Sequence, residues 1–389
     1  MNKTRCPSCS SERTSSFFRV TDVPIDSCGL LEDQDEALQA PRGDLVLSLC
    51  KACGMVWNSA YDPELVDQSI VYEDQQCFSP TFNAFAEELV RRLIRDYDLH
   101  GKDILEIGCG KGDFLSLLCS IGENRGIGID PAFVRRPLEK SENLTFIRDY
   151  FSEAYSEAVG EMVCCRHTLE HINETGQFVE VVRKSLGDRR PPVFFEVPDV
   201  TRILRDIAFW DIYYYHCSYF SPGSLARLFR SRGFKVTRLE VAFNDQYVLL
   251  DAIPSANSAG PVHGTEETPG EMARMAGGFS EAFTKKISHW QKDLEGLSDR
   301  GKRVVAWGSG SKCVTFLSML GVEDELEYVV DINPYRQGRY LPGSGKLVVE
   351  PAFLAEYRPD VAIVMNPIYM GEIEEMTQEM GLKLKLLPV

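Results

Sequence analysis

The chain has 389 residues, 44% of them hydrophobic and 26% charged, a balance that supports two or three domains with proper cores. Its formal net charge of −16 repels phosphate backbones, which argues against a nucleic-acid partner and for a small or activated metabolite. No stretch approaches the roughly 18 apolar residues of a membrane span, and Met1 to Thr4 lead straight into Cys6 with no signal-peptide core, so a cytoplasmic protein with no membrane partner is expected.

Cys6-Pro7-Ser8-Cys9 and Cys50-Lys51-Ala52-Cys53 are two C-x-x-C knuckles joined by what reads as a mostly polar loop. Four thiolates at this spacing close a tetrahedral site with no open position, so residues 1–60 are expected to hold a structural zinc ion on Cys6, Cys9, Cys50 and Cys53. The other cysteines of the twelve scatter, which fits a reducing compartment. Asp26, Glu32, Asp33, Asp35 and Glu36 between the knuckles favour a scaffold or lid over a DNA-reading role.

Residues 61–253 read as a second unit. Phe85, Leu89, Leu93 and Ile94 form an apolar stripe at helical spacing. Strands follow at Ile104–Ile107, Gly126–Ile129, Leu144–Ile147, Met162–Cys165 and Val193–Val197, with a helix over Phe114–Cys119. Strands alternating with helices predict an α/β fold, a doubly wound parallel sheet that binds ligands at the strand C-terminal ends.

The first of those strands runs into Glu106-Ile107-Gly108-Cys109-Gly110-Lys111-Gly112. Each glycine lets backbone press against a ligand where a strand gives way to a helix. A dinucleotide fingerprint needs its third glycine where Asp113 stands, so this E-x-G-x-G-x-G run suits a ligand without phosphates, held by adenosine and amino-acid parts. The pattern resembles the first motif of class I S-adenosylmethionine (SAM) methyltransferases. Asp130 ends the second strand, where a carboxylate can accept both ribose hydroxyls; a turn Asp before Pro131 is the plainer alternative. Asp149 and Tyr150 follow the third strand and are candidates to touch adenine. Cys165 to His171 closes the fourth strand, where Arg166 or His167 is a candidate to line the donor pocket, whereas Glu170 and His171 read equally well as a first helical turn making a local pair.

Phe209 to Pro222 carries Tyr213, Tyr214, Tyr215, His216 and Tyr219, which combine acid/base capacity with aromatic walls, though aromatic packing around a satisfied core histidine gives the same pattern. Residues 254–298 read as a linker rich in Pro, Gly, Ser and Thr followed by a connecting helix striped with Phe279, Phe283, Ile287, Trp290, Leu294 and Leu297. Residues 299–389 read as a Rossmann-like unit: a strand over Arg303–Trp307, a turn Gly308-Ser309-Gly310-Ser311-Lys312, a helix over Val314–Leu320 and a strand ending at Asp331. The turn lacks a third glycine, but its peptide N–H groups and Lys312 offer a seat for a phosphate.

Taken together, the knuckles, Glu106 to Gly112, Tyr213 to Phe220 and Gln337 to Gly343 resemble the three-domain C-methyltransferases of nucleotide-linked deoxysugars over nearly the whole chain. The resemblance implies a structural zinc region covering the active site, SAM in the middle domain and a nucleotide-sugar held partly by the last. It also implies that His216 is the base that removes a proton beside a keto group, with Tyr213, Tyr215 or Tyr72 donating to the developing enolate oxygen. Those sugar enzymes commonly carry Glu immediately before that histidine, and this chain has Tyr215, a phenol that can orient an imidazole only through a neutral hydrogen bond. The leading expectation is C-methylation of a nucleotide-linked keto-sugar or similar metabolite. O- or N-methylation of a small molecule comes next, ahead of a nicotinamide oxidoreductase or a zinc-dependent interaction protein.

Overall fold

The structure is a computed structural model that describes residues 5–66, 75–134, 142–257, 260–322 and 325–389. In chain order, β1 (Thr14–Pro24), β2 (Arg42–Cys50) and β3 (Val56–Asn58) lead into β4 (Asp103–Ile107), β5 (Arg125–Ile129), β6 (Leu144–Ile147), β7 (Met162–Arg166) and β8 (Val193–Pro198). They are followed by β9 (Ser218–Tyr219), β10 (Phe234–Ala242), β11 (Tyr247–Pro254), β12 (Val304–Trp307), β13 (Tyr328–Val330), β14 (Leu347–Val349), β15 (Val361–Val364) and β16 (Lys385–Pro388).

These strands form three sheets. The first is antiparallel, in the order β1-β2-β3-β9. The segment between the knuckles, read from sequence as a polar loop, is largely the β1/β2 hairpin. Its acidic residues sit on the turn, where Asp33 caps a short helix (Gln34–Leu38) by accepting from the amides of Asp35 and Glu36. The strands carry a period-2 pattern, with Leu45, Leu47 and Leu49 buried alongside Phe18 and Val23. That face packs on Val200, Ile203, Leu204 and Ile212 of the middle of the chain.

The second sheet has the order β10-β11-β8-β7-β4-β5-β6, parallel from β8 through β6, with β11 antiparallel to both of its neighbours. Strand order reverses at β4, which pairs with β5 on one side and β7 on the other, so a crevice opens beyond the C-terminal end of β4. β4, β7 and β8 are buried on both faces, as parallel strands covered by helices require. The third sheet is wholly parallel, β14-β13-β12-β15-β16, with its own switch point at β12.

Two joints fix these parts together. β9 lies within the middle stretch of sequence yet pairs with β3, so the Tyr-rich segment that precedes it is anchored to the four-cysteine sheet. The stretch before Pro269, expected as a linker, is pinned to the middle domain by Arg230 on Glu266 at 2.6 Å and Arg227 on Glu267 at 3.1 Å. The helix Pro269–Gly277 then starts from a Thr268/Glu271 capping box, and Phe279–Ser298 buries Phe279, Trp290 and Leu294.

One buried ion pair spans the second sheet and its covering helix Pro80–Tyr97. Arg92 meets both carboxylate oxygens of Asp251 on β11, one of them at 3.1 Å, and Tyr97 Oη donates to the same carboxylate at 2.9 Å. Removing one partner would leave the other charge buried, at a cost of about 3–5 kcal/mol. Arg92→Met should lower the urea midpoint of this domain accordingly; an unchanged midpoint would show that the pair contributes nothing net.

Candidate functional site

The crevice beyond β4 is a cavity of about 390 Å³. Glu106, Gly108, Cys109, Gly110, Lys111, Asp113 and Asp130 line it, with Tyr150, Arg166 and His167 farther round. Gly108 has φ +69°, and a Cβ there would stand 2.0 Å from Thr168 Oγ1, so this close approach of turn to neighbouring strand demands glycine. Gly112 sits where the loop packs against Phe146 of β6. It does not line the cavity, and a Cβ on it would strike the Phe146 ring at 2.5 Å, so it serves the packing of the loop.

Asp130 lines the cavity while also holding the glycine loop, its two carboxylate oxygens accepting from the amides of Gly110 (2.9 Å) and Ala132 (2.7 Å). Asp149 is set apart from the cavity: it accepts from the Tyr150 amide and the Tyr155 hydroxyl. Glu106 is almost fully buried, and its Oε2 has no hydrogen-bond partner. Burial pushes this carboxyl up to about 8 despite the nearby Arg166. An orphaned buried acceptor at the base of a glycine-lined cradle fits a ligand carrying a cationic donor.

Next to Glu106 lies a knot of charges at the ends of β7 and β8. Glu196, fully buried, receives Arg166 Nε at 2.6 Å and Nη2 at 3.2 Å, and stands 3.0 Å from His167 Nε2. Arg166 also lies 4.0 Å over the Phe114 ring. Burial would raise Glu196, but Arg166 and His167 outweigh it and hold it at about 2. Burial likewise pulls His167 down, and the carboxylates of Glu196 and Glu170 override it to give about 9. His167 takes φ +47°, unusual for a residue with a Cβ, which turns the chain sharply off β7 into the short 3-10 turn Leu169–His171.

A second cavity of about 300 Å³ adjoins the first; both are lined by Gln75, Gln76, His167, His171 and Tyr215. It lies at the joint between the second and third sheets, with His216, Tyr213, Asp211 and Arg202 on one side and Gly308, Gly310, Ser311, Lys312 and Arg336 on the other. His216 is 9% exposed, its ring 4.4 Å from that of Tyr213 and 4.7 Å from that of His171. Burial, with the neighbouring cations, holds His216 well below the ordinary histidine range, while burial raises the Tyr213 phenol. Tyr215 lines this cavity together with His216. Its ring packs at 4.6 Å on His171, and its carbonyl faces His171 Nδ1 at 3.2 Å. Tyr72 lies outside the described residues.

In the third sheet's glycine turn, Asp331 accepts from the Ser309 amide (2.8 Å) and hydroxyl (2.5 Å), so its carboxylate holds the turn itself. Lys312 donates to Asp211, which also receives Arg202 at 2.9 Å. That ammonium is therefore already matched, whereas the helix Ser311–Leu320 starts with no side-chain cap, and Gly310, Ser311 and Lys312 at its start line the cavity.

At the far end of the first sheet the four cysteines meet. Cys6 Sγ stands 3.6 Å from Cys53 Sγ and Cys9 Sγ 3.6 Å from Cys50 Sγ, with all four within 4.8 Å of one another. A tetrahedron of bonds of about 2.3 Å has edges of about 3.8 Å, so the set suits a tetrahedral cation.

Sequence reasoning missed Glu196, Asp211, Arg202 and Arg336 as parts of the site. Asp211 stands inside the Tyr-rich segment, and Glu196 interrupts an otherwise apolar strand. A charge inside a buried strand is the signal that identifies such a residue. The stability of the Arg166–Glu196–His167 knot follows its titration. His167 is raised in the folded state, so its contribution is whole below pH 6.5 and is lost as pH rises through about 9. Glu196 is depressed, so its contribution is whole above pH 4.5 and is lost as pH falls toward 2. Between pH 7 and 9.5 the melting temperature of wild type should therefore fall more than that of His167→Gln; equal slopes by differential scanning fluorimetry would contradict the assignment.

The "Methyltransferase domain" family model matches residues 45–239, and the "C-methyltransferase C-terminal domain" model matches residues 265–383. The chain is 25% identical to the C-methyltransferase NovU of Streptomyces niveus over 378 residues, covering 90% of this chain and 86% of that protein. Among solved structures, magnesium protoporphyrin IX methyltransferase from Synechocystis PCC 6803 aligns over 45% of this chain and 84% of its own, at 18% identity and TM-score 0.35. The 1,6-didemethyltoxoflavin-N1-methyltransferase of Burkholderia thailandensis aligns over 52% and 96%, at 12% identity and TM-score 0.34. The chain belongs to the SAM-dependent methyltransferases in which a methyltransferase domain is followed by a C-methyltransferase C-terminal domain.

Proposed function

We propose that this enzyme C-methylates a nucleotide-linked keto-sugar or similar activated small metabolite, with SAM in the cavity beyond β4, the acceptor in the adjoining cavity and His216 as the general base. The observation that carries this reading is the shared wall of the two cavities, with the buried, neutral imidazole of His216 on the acceptor side. The name of the similar NovU protein and the C-terminal domain family support carbon as the atom methylated.

Bound SAM supplies an electrophilic methyl group on a sulfonium. Glu106 would receive a cationic donor of the ligand in the glycine cradle, and Asp130 would receive ribose hydroxyls. Cys109 and Tyr150 supply cavity wall, while Arg166 and His167 set the shape of the floor through Glu196. In the second cavity His216 takes the proton beside the keto group, and Tyr213, whose raised phenol stays protonated, donates toward the oxygen that gains charge. Tyr215, its ring tilted against His171, positions the wall between donor and acceptor. The uncapped N–H groups of the helix Ser311–Leu320 offer a diphosphate its seat. A zinc ion held by Cys6, Cys9, Cys50 and Cys53 would close the end of the first sheet, which through β9 anchors the segment carrying His216.

Two measurements test this reading. Incubation of wild type with nucleoside diphosphate keto-deoxysugars in D2O should exchange the α-proton by mass spectrometry, and adding SAM should convert the exchanged sugar to a carbon-methylated product. His216→Asn should lose exchange and lower turnover by about 10²–10⁴-fold, with S-adenosylhomocysteine binding kept; full exchange in that variant would remove His216 from the role of base. For the zinc, metal analysis should find one ion tied to the four cysteines, and Cys50→Ser should lose it and lower the melting temperature. A variant that keeps both its ion and its melting temperature would overturn the assignment.

A further inference from the structure

Glu170, His171 and His216 bring one carboxylate and two imidazoles to the same wall of the acceptor cavity, with a ligand atom of each within 4.8 Å of the other two. We infer that these three residues form a second cation site, distinct from the four cysteines, that takes a divalent transition ion such as Zn2+ and silences the enzyme when filled.

The donor set is the first argument. Two imidazoles and one carboxylate suit zinc, nickel, copper or iron rather than magnesium or calcium, which prefer all-oxygen shells. Three protein ligands at the edge of a cavity also leave coordination positions open to water or substrate.

The surroundings of the ligands are the second. Glu170 is 1% exposed, and its Oε2 has no hydrogen-bond partner, an arrangement that is costly without a cation. Its other oxygen, Oε1, stands 3.5 Å from His167 Nδ1. His171 Nδ1 faces the Tyr215 carbonyl at 3.2 Å, and a carbonyl can only accept, so Nδ1 carries the proton and Nε2 keeps its lone pair. Each of these contacts turns a ligand in the way that partners behind a metal centre do.

The backbone is the third. Glu170 and His171 lie on the turn after β7, and His216 comes from the segment before β9. Ser218 Oγ donates to the Ile172 carbonyl at 2.8 Å, and Cys217 Sγ lies 3.6 Å from the Glu170 carbonyl, so the two segments are stapled beside the cluster. Zinc bonds to nitrogen and oxygen of about 2.0–2.2 Å place ligand atoms about 3.4 Å apart in a tetrahedron. The ligand atoms, within 4.8 Å of one another, would have to draw together by at most about 1.4 Å to reach that spacing.

Occupancy has a defined consequence, which rests on the reading of His216 as base: an imidazole bound to a metal has no lone pair for a proton. The test is a metal count on the full-length protein, cleared of loosely held ions with EDTA and re-exposed to Zn2+. Wild type should hold two ions per chain, and Glu170→Gln and His171→Gln one each. Loading Co2+ into the zinc-retaining protein should give a spectrum with imidazole ligation and no thiolate charge-transfer band, a measurement on wild type that stands even if neither variant folds. Turnover of wild type should fall at least 10-fold on loading and return with EDTA. One ion per chain in wild type, or a second ion that persists in both folded variants, would overturn the site. Two ions with turnover unchanged would overturn the silencing. Turnover by His216→Asn without added metal would defeat the base assignment while leaving the metal count standing, so the two failures are separable.

Discussion

The arrangement of both cavities depends on a carboxylate that no solvent reaches. Glu196 sits at the end of β8 with its charge matched by Arg166 and His167 from the end of β7. A buried ion group of this kind is worth keeping only if its geometry is well satisfied, and here the fork of Arg166 and the ring of His167 take both oxygens. His167 holds this bond in a left-handed conformation, and the turn that follows places His171 on the wall shared by the two cavities and Glu170 on the second.

The three sheets divide the work unequally. The second supplies the glycine cradle and the charged floor, the third brings a helix N-terminus, and the first contributes no side chain of its own strands to either cavity wall. It acts through β9, whose pairing with β3 holds the segment from Tyr213 to Tyr219 against the turn after β7. The aromatic character of that segment follows from its position: Tyr214 is buried against the first sheet, Tyr219 donates to the Tyr213 carbonyl, and Tyr213 and Tyr215 face the acceptor cavity.

Much of this was legible because local patterns coincide with tertiary roles. β4 and β12, the strands at the two switch points, are largely apolar runs that end at glycine turns, and Glu106 to Gly110 line a cavity at the end of β4. The four cysteines meet across 41 and 47 residues, as paired knuckles suggest. What sequence concealed depends on contacts between distant segments. Asp130 looks like a free ligand carboxylate, yet it also holds the glycine turn of its own sheet, as Asp331 does in the third. Lys312 looks like a phosphate ligand until Asp211, about a hundred residues earlier, is found on its ammonium. Gly112 fits the motif by spacing, but the Phe146 ring beneath it explains why it is a glycine. The hairpin between the knuckles was hidden by its acidic turn, which masked the alternation of Leu45, Leu47 and Leu49.

The pairing of Val56 with Tyr219 also governs the order in which the molecule can be made. β3 leaves the ribosome far ahead of its outer partner, and until residue 219 follows, its outer edge stays open, with peptide groups able to pair with another chain. β3 is only three residues long, and short edge strands pair poorly with strangers. That brevity limits what the open edge can pair with, and the long-range pairing with β9 both completes the first sheet and brings in the segment that carries His216.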